Sequence, residues 1–261
     1  RAGAEGLRGC IRGCRFCQAG FIYRPFREKS VDVIDRQCHA LCDNTGYDEI
    51  SLSSLSTNDY SKIDELLDKL LLWTNKEKTG ISLPSLRVDS FSTELMNKIK
   101  SVRRSGLTFA PEAGTQRLRD VINKNVSEED LLKTVTTAFK GGWTTIKLYF
   151  MIGLPTETLE DIAGIAELGQ KVVDTFYTNP AKPRGKSVKV TVSASSFVPK
   201  PFTPCQWEPQ DTIEMLQKKQ RHLVSSVKTR KIQANWHDAD TSFLEAVFAR
   251  GDRRLCDVLL E

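Results

Sequence analysis

The sequence predicts an α/β fold built on a parallel sheet, and three observations carry the prediction. Short β-type runs alternate with amphipathic helical runs of ten or more residues, the pattern of successive βα units. The length, 261 residues, suits one large α/β domain. The segments richest in chemistry follow expected strands, where parallel α/β folds gather their ligands.

Each element has a local reason. Ser30 opens a helical pattern (VDVIDRQCHALCDN) that Gly46 closes in the left-handed cap conformation. Asp48 to Ser53 (DEISLS) reads as a strand. Ser61 is expected to cap a helix whose apolar face is Ile63, Leu66, Leu67 and Leu70. A strand over Gly80 to Leu86 leads to a helix opened by Ser92 or Thr93, and Gly106 to Ala110 is the next strand. Ser127-Glu-Glu-Asp130 resembles a capping box with Asp in place of the usual Glu or Gln, and its helix stops at Gly141-Gly142. Thr144 to Ile152 is the most apolar strand; a long helix follows from Thr158 to Tyr177, then a basic loop over Asn179 to Lys186. Ser187 to Val198 is the last strand and Asp211 to Lys228 the last long helix. A further strand would have to precede Cys10, where RAGAEGL has little β-branched content, so it is expected to be truncated or irregular. The core is expected over residues 1–234, with 235–261 as an extension after it.

Composition narrows the function classes. No run of about 18 apolar residues occurs, so a membrane span is not expected. No charged-then-apolar leader is evident, and the chain opens on Arg1, so it reads as a piece of a longer protein. The net charge of +5 permits an anionic partner without demanding one. Seven cysteines without paired spacing fit a reducing, cytoplasmic setting and a metal role better than a disulfide framework.

Cys10, Cys14 and Cys17 stand within the stretch GCIRGCRFCQAGF. Thiolates are soft ligands suited to iron–sulfur clusters and to zinc. A cubane bound by three cysteines keeps one iron without a protein ligand, which parallels the open position of catalytic metal sites. Phe16 would shield the cluster edge, and Gly9 and Gly13 let the backbone fold tightly. The alternative is a zinc site of three cysteines and one histidine, with His39 the nearest. Cys38, Cys42, Cys205 and Cys256 read as scattered thiols, a second cluster being the alternative.

The spacing Cys10-x3-Cys14-x2-Cys17, with an aromatic residue before the last cysteine, resembles the signature of the radical S-adenosylmethionine (SAM) superfamily. The resemblance runs from Gly9 to Pro209, and its closest match is a group related to the B12-linked branch. It implies a partial (βα)6 TIM-like barrel of parallel strands. It also implies a 4Fe-4S cluster on Cys10, Cys14 and Cys17, and SAM beside it. By the same resemblance Ser54 and Ser56, after the second strand, stand where the methionyl amine is received. Arg87 is expected to pair with the methionyl carboxylate, and Glu112, in Ala110-Pro111-Glu112-Ala113-Gly114, to reach the ribose or amine. Met151-Ile152-Gly153-Leu154-Pro155-Thr156-Glu157-Thr158 is similar to the Gly-x-Pro-x-Glu-Thr turn of tRNA methylthiotransferases. That places Ile152, Gly153 and Leu154 at the adenine. Phe197 to Cys205 resembles the Pro-x-Gly-Thr-Pro segment of the same relatives, with Phe202 in place of Gly and Phe197 near the adenine or the substrate mouth.

The resemblance implies reductive cleavage of SAM to methionine and a 5′-deoxyadenosyl radical that attacks a further substrate. A reduced flavodoxin or ferredoxin would supply the electron. Arg103-Arg104, Lys182, Arg184, Lys186 and the Lys218 to Arg230 stretch read as solvated helix faces, acidic residues being interleaved elsewhere, with a basic surface for RNA the alternative. Three readings follow: a SAM-cleaving enzyme, including a methyl- or methylthio-transferase on RNA; a methyltransferase using cobalamin bound by a domain outside these residues; and a non-catalytic metal-binding module.

Overall fold

The computed structural model describes residues 1–83, 107–183 and 185–261, and of residue 58 the backbone alone. Two sets of parallel strands carry the chain. In the first, β1 (Ala2–Glu5) pairs with β4 (Glu49–Ser53), and β4 with β5 (Gly80–Ser82). In the second, β6 (Leu107–Glu112), β7 (Thr145–Ile152), β8 (Lys189–Ser196) and β9 (Ile232–Trp236) lie side by side in chain order. Every neighbouring pair in these two sets is parallel, and helices make the crossovers. This is the α/β fold that the sequence pattern predicts and the TIM-like partial barrel that the resemblance implies. A short antiparallel pair, β2 (Leu7–Arg8) with β3 (Arg27–Glu28), closes the loop that carries the cysteine triplet.

The helices are α1 (Val31–Thr45), α2 (Ile63–Glu77), α3 (Gln116–Val121), α4 (Glu128–Lys140), α5 (Leu159–Thr178), α6 (Ile213–Ser226), α7 (Ala239–Arg250) and α8 (Cys256–Leu260). Their ends follow the sequence signals. The Ser30 side chain accepts from the Val33 N–H, Gly46 takes φ 69°, and Ser127 with Asp130 forms a complete capping box. Thr158 with Asp161 forms a second one at the head of α5. The apolar faces meet in one core around Ile34, Ile50, Leu70, Phe109, Phe150 and Phe176, all almost fully buried. Each such side chain contributes about 1.5–3 kcal/mol by leaving water.

Three expectations are corrected. The first strand is present: Ala2 and Ala4 are buried, Gly3 faces outward, and β1 pairs in full register with β4. Pairing against a good strand overrides the low β propensity of small residues. Ser187 to Val198 is also not the last strand, because β9 follows it and pairs with β8 out to Trp236, and Ala239 then opens a helix whose first residue is buried. Finally, Ser61 does not cap α2, whose N-cap is Lys62 without a side-chain bond. The Ser61 amide and hydroxyl both donate to Glu28 instead, at 2.6 and 2.5 Å. The helix expected from Ser92 or Thr93, and Arg87, Arg103, Arg104 and Arg184, lie outside the described residues.

Candidate active site

The triplet loop folds tightly because two glycines leave room for backbone. A Cβ on Gly9, which has φ +87°, would sit 2.4 Å from the Tyr23 carbonyl oxygen, and one on Gly20 would sit 2.1 Å from that of Arg12. The Cys17 amide donates to the Cys14 carbonyl (3.1 Å), and the Arg12 amide points at Cys10 Sγ (3.4 Å). Segments that follow later strands fasten the loop from outside. Asn123 Nδ2 donates to the Gly13 carbonyl (2.8 Å), and the Arg15 amide to that of Ile122 (2.9 Å). From beyond β8, the Pro201 carbonyl accepts from Gln18 Nε2 (3.0 Å), and the Cys205 amide donates to the Arg15 carbonyl (3.1 Å).

All three cysteines line one cavity of about 350 Å³ that runs from the segment just after β4 along β6 to Tyr149 in the middle of β7, shared with Arg12, Phe16, Ser56, Thr108, Glu112 and Lys124. That volume lies in the range of small-molecule sites. The β6–β7 register slips between Phe109 and Glu112, and Glu112 takes φ +70°. A bulge of this kind re-aims a side chain, and the left-handed conformation of a non-glycine residue costs about 1–3 kcal/mol. Here it turns the carboxylate into the cavity, where Lys124 Nζ lies 3.0 Å from Glu112 Oε1. Lys124 is flanked by Asn123 and Asn125, both at positive φ, which asparagine tolerates well. Arg12 forks onto Asp59 through Nε (3.0 Å) and a second nitrogen. Ser56 Oγ lines the cavity, is buried, and has no hydrogen-bond partner among the described residues.

The donor set fits an iron–sulfur cubane. Three thiols face one cavity, and the orphaned Ser56 hydroxyl waits there for a polar partner. Burial pushes the Cys17 thiol up, partly offset by a hydrogen bond from the Ala19 amide, so binding there must release a proton. Among the described residues no three His, Cys, Asp or Glu converge on a single ion. A cubane asks something different, since its three protein thiolates go to three different irons. His39 stacks on Trp73 with centroids 3.8 Å apart and does not line the cavity. Cys38 and Cys42 are packed in the main core, where burial drives Cys38 to about 12; Cys205 is buried in a second apolar cluster and Cys256 is exposed.

The site thus brings together Cys10, Cys14, Cys17, Phe16, Ser56 and Glu112 of the residues the sequence singled out. Ser54 turns aside and shares a hydrogen bond with Thr57 Oγ1 (2.8 Å). Ile152 is fully buried in the main core, and Leu154 and Phe197 join the second cluster, against which Phe16 packs. Gly153, at φ +85°, gives its amide to Glu157 Oε1 (2.7 Å). The strand's alternation sends Tyr149, not Ile152, to the cavity wall. Phe202 is exposed at φ +63°, the conformation that a glycine would take at no cost. Lys124, Arg12, Thr108 and Tyr149 escaped the sequence reading; only Lys124 carried a signal, its two flanking asparagines.

Comparison with known proteins gives the family and the fold. A model of the radical SAM superfamily matches residues 5–169, which include the triplet. The uncharacterized protein MJ0966 of Methanocaldococcus jannaschii is 33% identical over 252 residues, 97% of this chain and 52% of its own length. The uncharacterized methyltransferase PH0819 of Pyrococcus horikoshii is 25% identical over 169 residues, 63% of this chain and 36% of its own. The chain therefore spans about half the length, or less, of these relatives. The radical SAM methyltransferase TsrM from Kitasatospora setae, solved with cobalamin and a 4Fe-4S cluster, superposes with a TM-score of 0.58 at 14% identity, over 83% of this chain and 39% of its own. At that identity the likeness is one of fold. The family model covers more than half of the chain and contains the three cysteines of the cavity, and the chain belongs to the radical SAM superfamily.

Proposed function

We propose that the cavity holds a 4Fe-4S cluster on Cys10, Cys14 and Cys17 with SAM beside it, and that the protein cleaves SAM reductively to modify a further substrate. The observation that carries this reading is the meeting of the triplet with a complementary pair of charges, Glu112 and Lys124, in one cavity. When bound, the cluster supplies the open iron and the electron that split the sulfur–C5′ bond of SAM. The protein's residues bind, orient and exclude water. The methionyl group of SAM is a zwitterion, and the pair offers it a partner for each end: Glu112 for the amine, Lys124 for the carboxylate. Arg87, the carboxylate partner expected from sequence, lies outside the described residues. Ser56 Oγ adds a polar contact, Phe16 covers the cluster edge, and Tyr149 forms part of the wall. The Gly153 turn bounds the adenine side through its backbone.

The substrate class is read from similarity. The turn over Ile152 to Thr158 resembles that of tRNA methylthiotransferases, and PH0819 is named a methyltransferase, so methyl or methylthio transfer to RNA is the leading reading. The cobalamin-bound TsrM neighbour favours a second one, transfer by way of cobalamin carried on a part of the protein beyond these residues. A reduced flavodoxin or ferredoxin as donor and a cytoplasmic setting belong to the same proposal. No helix among the described residues is long and apolar enough to cross a membrane.

The test is anaerobic reconstitution with iron and sulfide, reduction in the presence of SAM, and chromatography for 5′-deoxyadenosine, with Cys14→Ala as control. Product that depends on Cys14 supports the reading. Protein that takes up zinc, forms no reducible cluster and yields no product would refute it in favour of a non-catalytic metal-binding module.

A further inference from the structure

Beneath the end of β7 lies a buried ionic triad, Lys219, Glu157 and Asp211, of which only Glu157 falls in the Gly-x-Pro-x-Glu-Thr-like turn. Lys219, on α6, belongs to a stretch that reads as basic surface, yet its side chain is only 9% exposed. Its Nζ lies 2.7 Å from Glu157 Oε1 and 2.6 Å from Asp211 Oδ2. Glu157 is the more deeply buried acid, with a side chain 1% exposed, while that of Asp211 is 26% exposed. The same Glu157 oxygen accepts the Gly153 amide at 2.7 Å. Gly153 is boxed in from the same side: a Cβ there would sit 3.1 Å from Asp211 Oδ2 and 3.4 Å from Leu216.

We propose that Lys219 is a positioning residue for the adenine side of the SAM site, acting through Glu157 to hold Gly153 and Leu154 at the end of β7. The proposal rests on the reading that this turn bounds the adenine. Its logic is electrostatic. The groups facing Glu157 are Lys219 and, beyond it, Asp211; from its own turn comes the Gly153 amide. Burial raises the Glu157 carboxyl above its usual range, and Lys219 and the Gly153 amide pull it back. Burial would lower Lys219, but its bonds to Asp211 and Glu157 outweigh that and raise it. Two carboxylates share one ammonium, so without Lys219 the ionised Glu157 has no other cation at hand among the described residues. A buried charge in that state escapes toward water or takes up a proton. Escape releases the Gly153 amide and the turn with it.

The sign of the pH effect follows. In Lys219→Met, Glu157 stays protonated at low pH, and its carbonyl oxygen still accepts from Gly153. As pH rises it ionises and leaves. Asp211 keeps part of its carboxylate in water, its side chain being 26% exposed, although the Oδ2 that faces Lys219 is itself buried.

The test measures hydrogen exchange of the Gly153 amide by NMR, corrected for intrinsic rates, on the protein without cluster or SAM. Wild type is protected across pH 6–9. Lys219→Met loses protection with rising pH, by about 10- to 100-fold, the worth of a hydrogen bond to a charged acceptor. Lys219→Met/Glu157→Gln regains it, because a neutral amide oxygen accepts from Gly153 without burying charge. Unchanged exchange in Lys219→Met, or a double variant no better than the single, overturns the proposal. A second arm measures SAM affinity after cluster reconstitution, expected to fall about tenfold in Lys219→Met above neutral pH and to recover in the double variant. If wild type binds no SAM, the reading of the site fails while the exchange result stands. If SAM binds equally to all three, the triad holds the turn but not the ligand, and the positioning role is refuted.

Discussion

Gly114→Ala tests the link between fold and site at one atom. Gly114 lies two residues past Glu112, where the turn from β6 crosses α5. An added Cβ would sit 2.3 Å from the Ile165 nitrogen, 2.5 Å from the Asp161 carbonyl oxygen and 2.6 Å from the Gly164 carbonyl carbon. All three are backbone atoms of one helix, so none can swing away as a side-chain tip does. Relief requires the turn to retreat until the shortest contact grows from 2.3 Å to at least 3.0 Å. Overpacking of this kind costs about 1–3 kcal/mol, and three immovable neighbours place it at the upper end. At 2–4 °C per kcal/mol for a chain of about this size, the Tm falls by roughly 6–12 °C. The retreat also moves Glu112, and a misplacement of about 1 Å costs on the order of 100-fold in rate. Circular dichroism melts and 5′-deoxyadenosine formation read the two effects. Gly3→Ala, with nothing within 4 Å of its Cβ, is the control and leaves both near wild type. A Gly114→Ala melt within about 2 °C of wild type would refute the close-approach argument.

Two further variants probe the charges. Lys124→Met removes the proposed carboxylate partner and strands Glu112, so SAM affinity falls about 10- to 100-fold by equilibrium dialysis; wild-type affinity would remove Lys124 from the site. Asp161 joins the head of α5 to the Glu112 turn, accepting from Thr115, Thr158 and Arg117. Burial pushes its carboxyl up, and those bonds more than offset it, leaving it below the ordinary 3.8. A lowered value in the folded state means stability that is present above 3.8 and fades as pH falls through the folded value. Asp161→Asn is therefore less stable by about 2 kcal/mol near neutral pH, and urea titrations show the gap narrowing below pH 3.8. A gap that does not change with pH would assign the loss to geometry instead of charge.

Much of this was legible in the chain. Ser30, Ser127 and Thr158 announced their helices because capping is local chemistry, written within four residues. The triplet announced its loop for the same reason. What stayed hidden depends on contacts distant in sequence. β1 looked too poor in β-branched residues, and only its pairing with β4, more than forty residues on, makes it a strand. Lys124 meets Glu112 through a bulge and two left-handed asparagines, which no periodicity reports. Lys219 sits in a run of basic residues and looked like surface; of the two acids that flank it, Asp211 stands just ahead of its own helix, and Glu157, the more buried, lies on a distant segment. Ile152, Leu154 and Phe197 are buried in the two apolar clusters, and an apolar residue at a strand end serves a core and a ligand shelf alike.

The central claim is that Cys10, Cys14 and Cys17 carry a cluster whose open iron meets SAM in this cavity. The measurement that tests it most directly is iron and sulfide content with electron paramagnetic resonance of the reduced protein, with and without SAM. The account predicts about four irons per chain and a signal that SAM shifts, with both lost when any one of the three cysteines becomes Ala. A reduced signal that SAM leaves unmoved, or a Cys14→Ala protein that keeps its full iron, would contradict it.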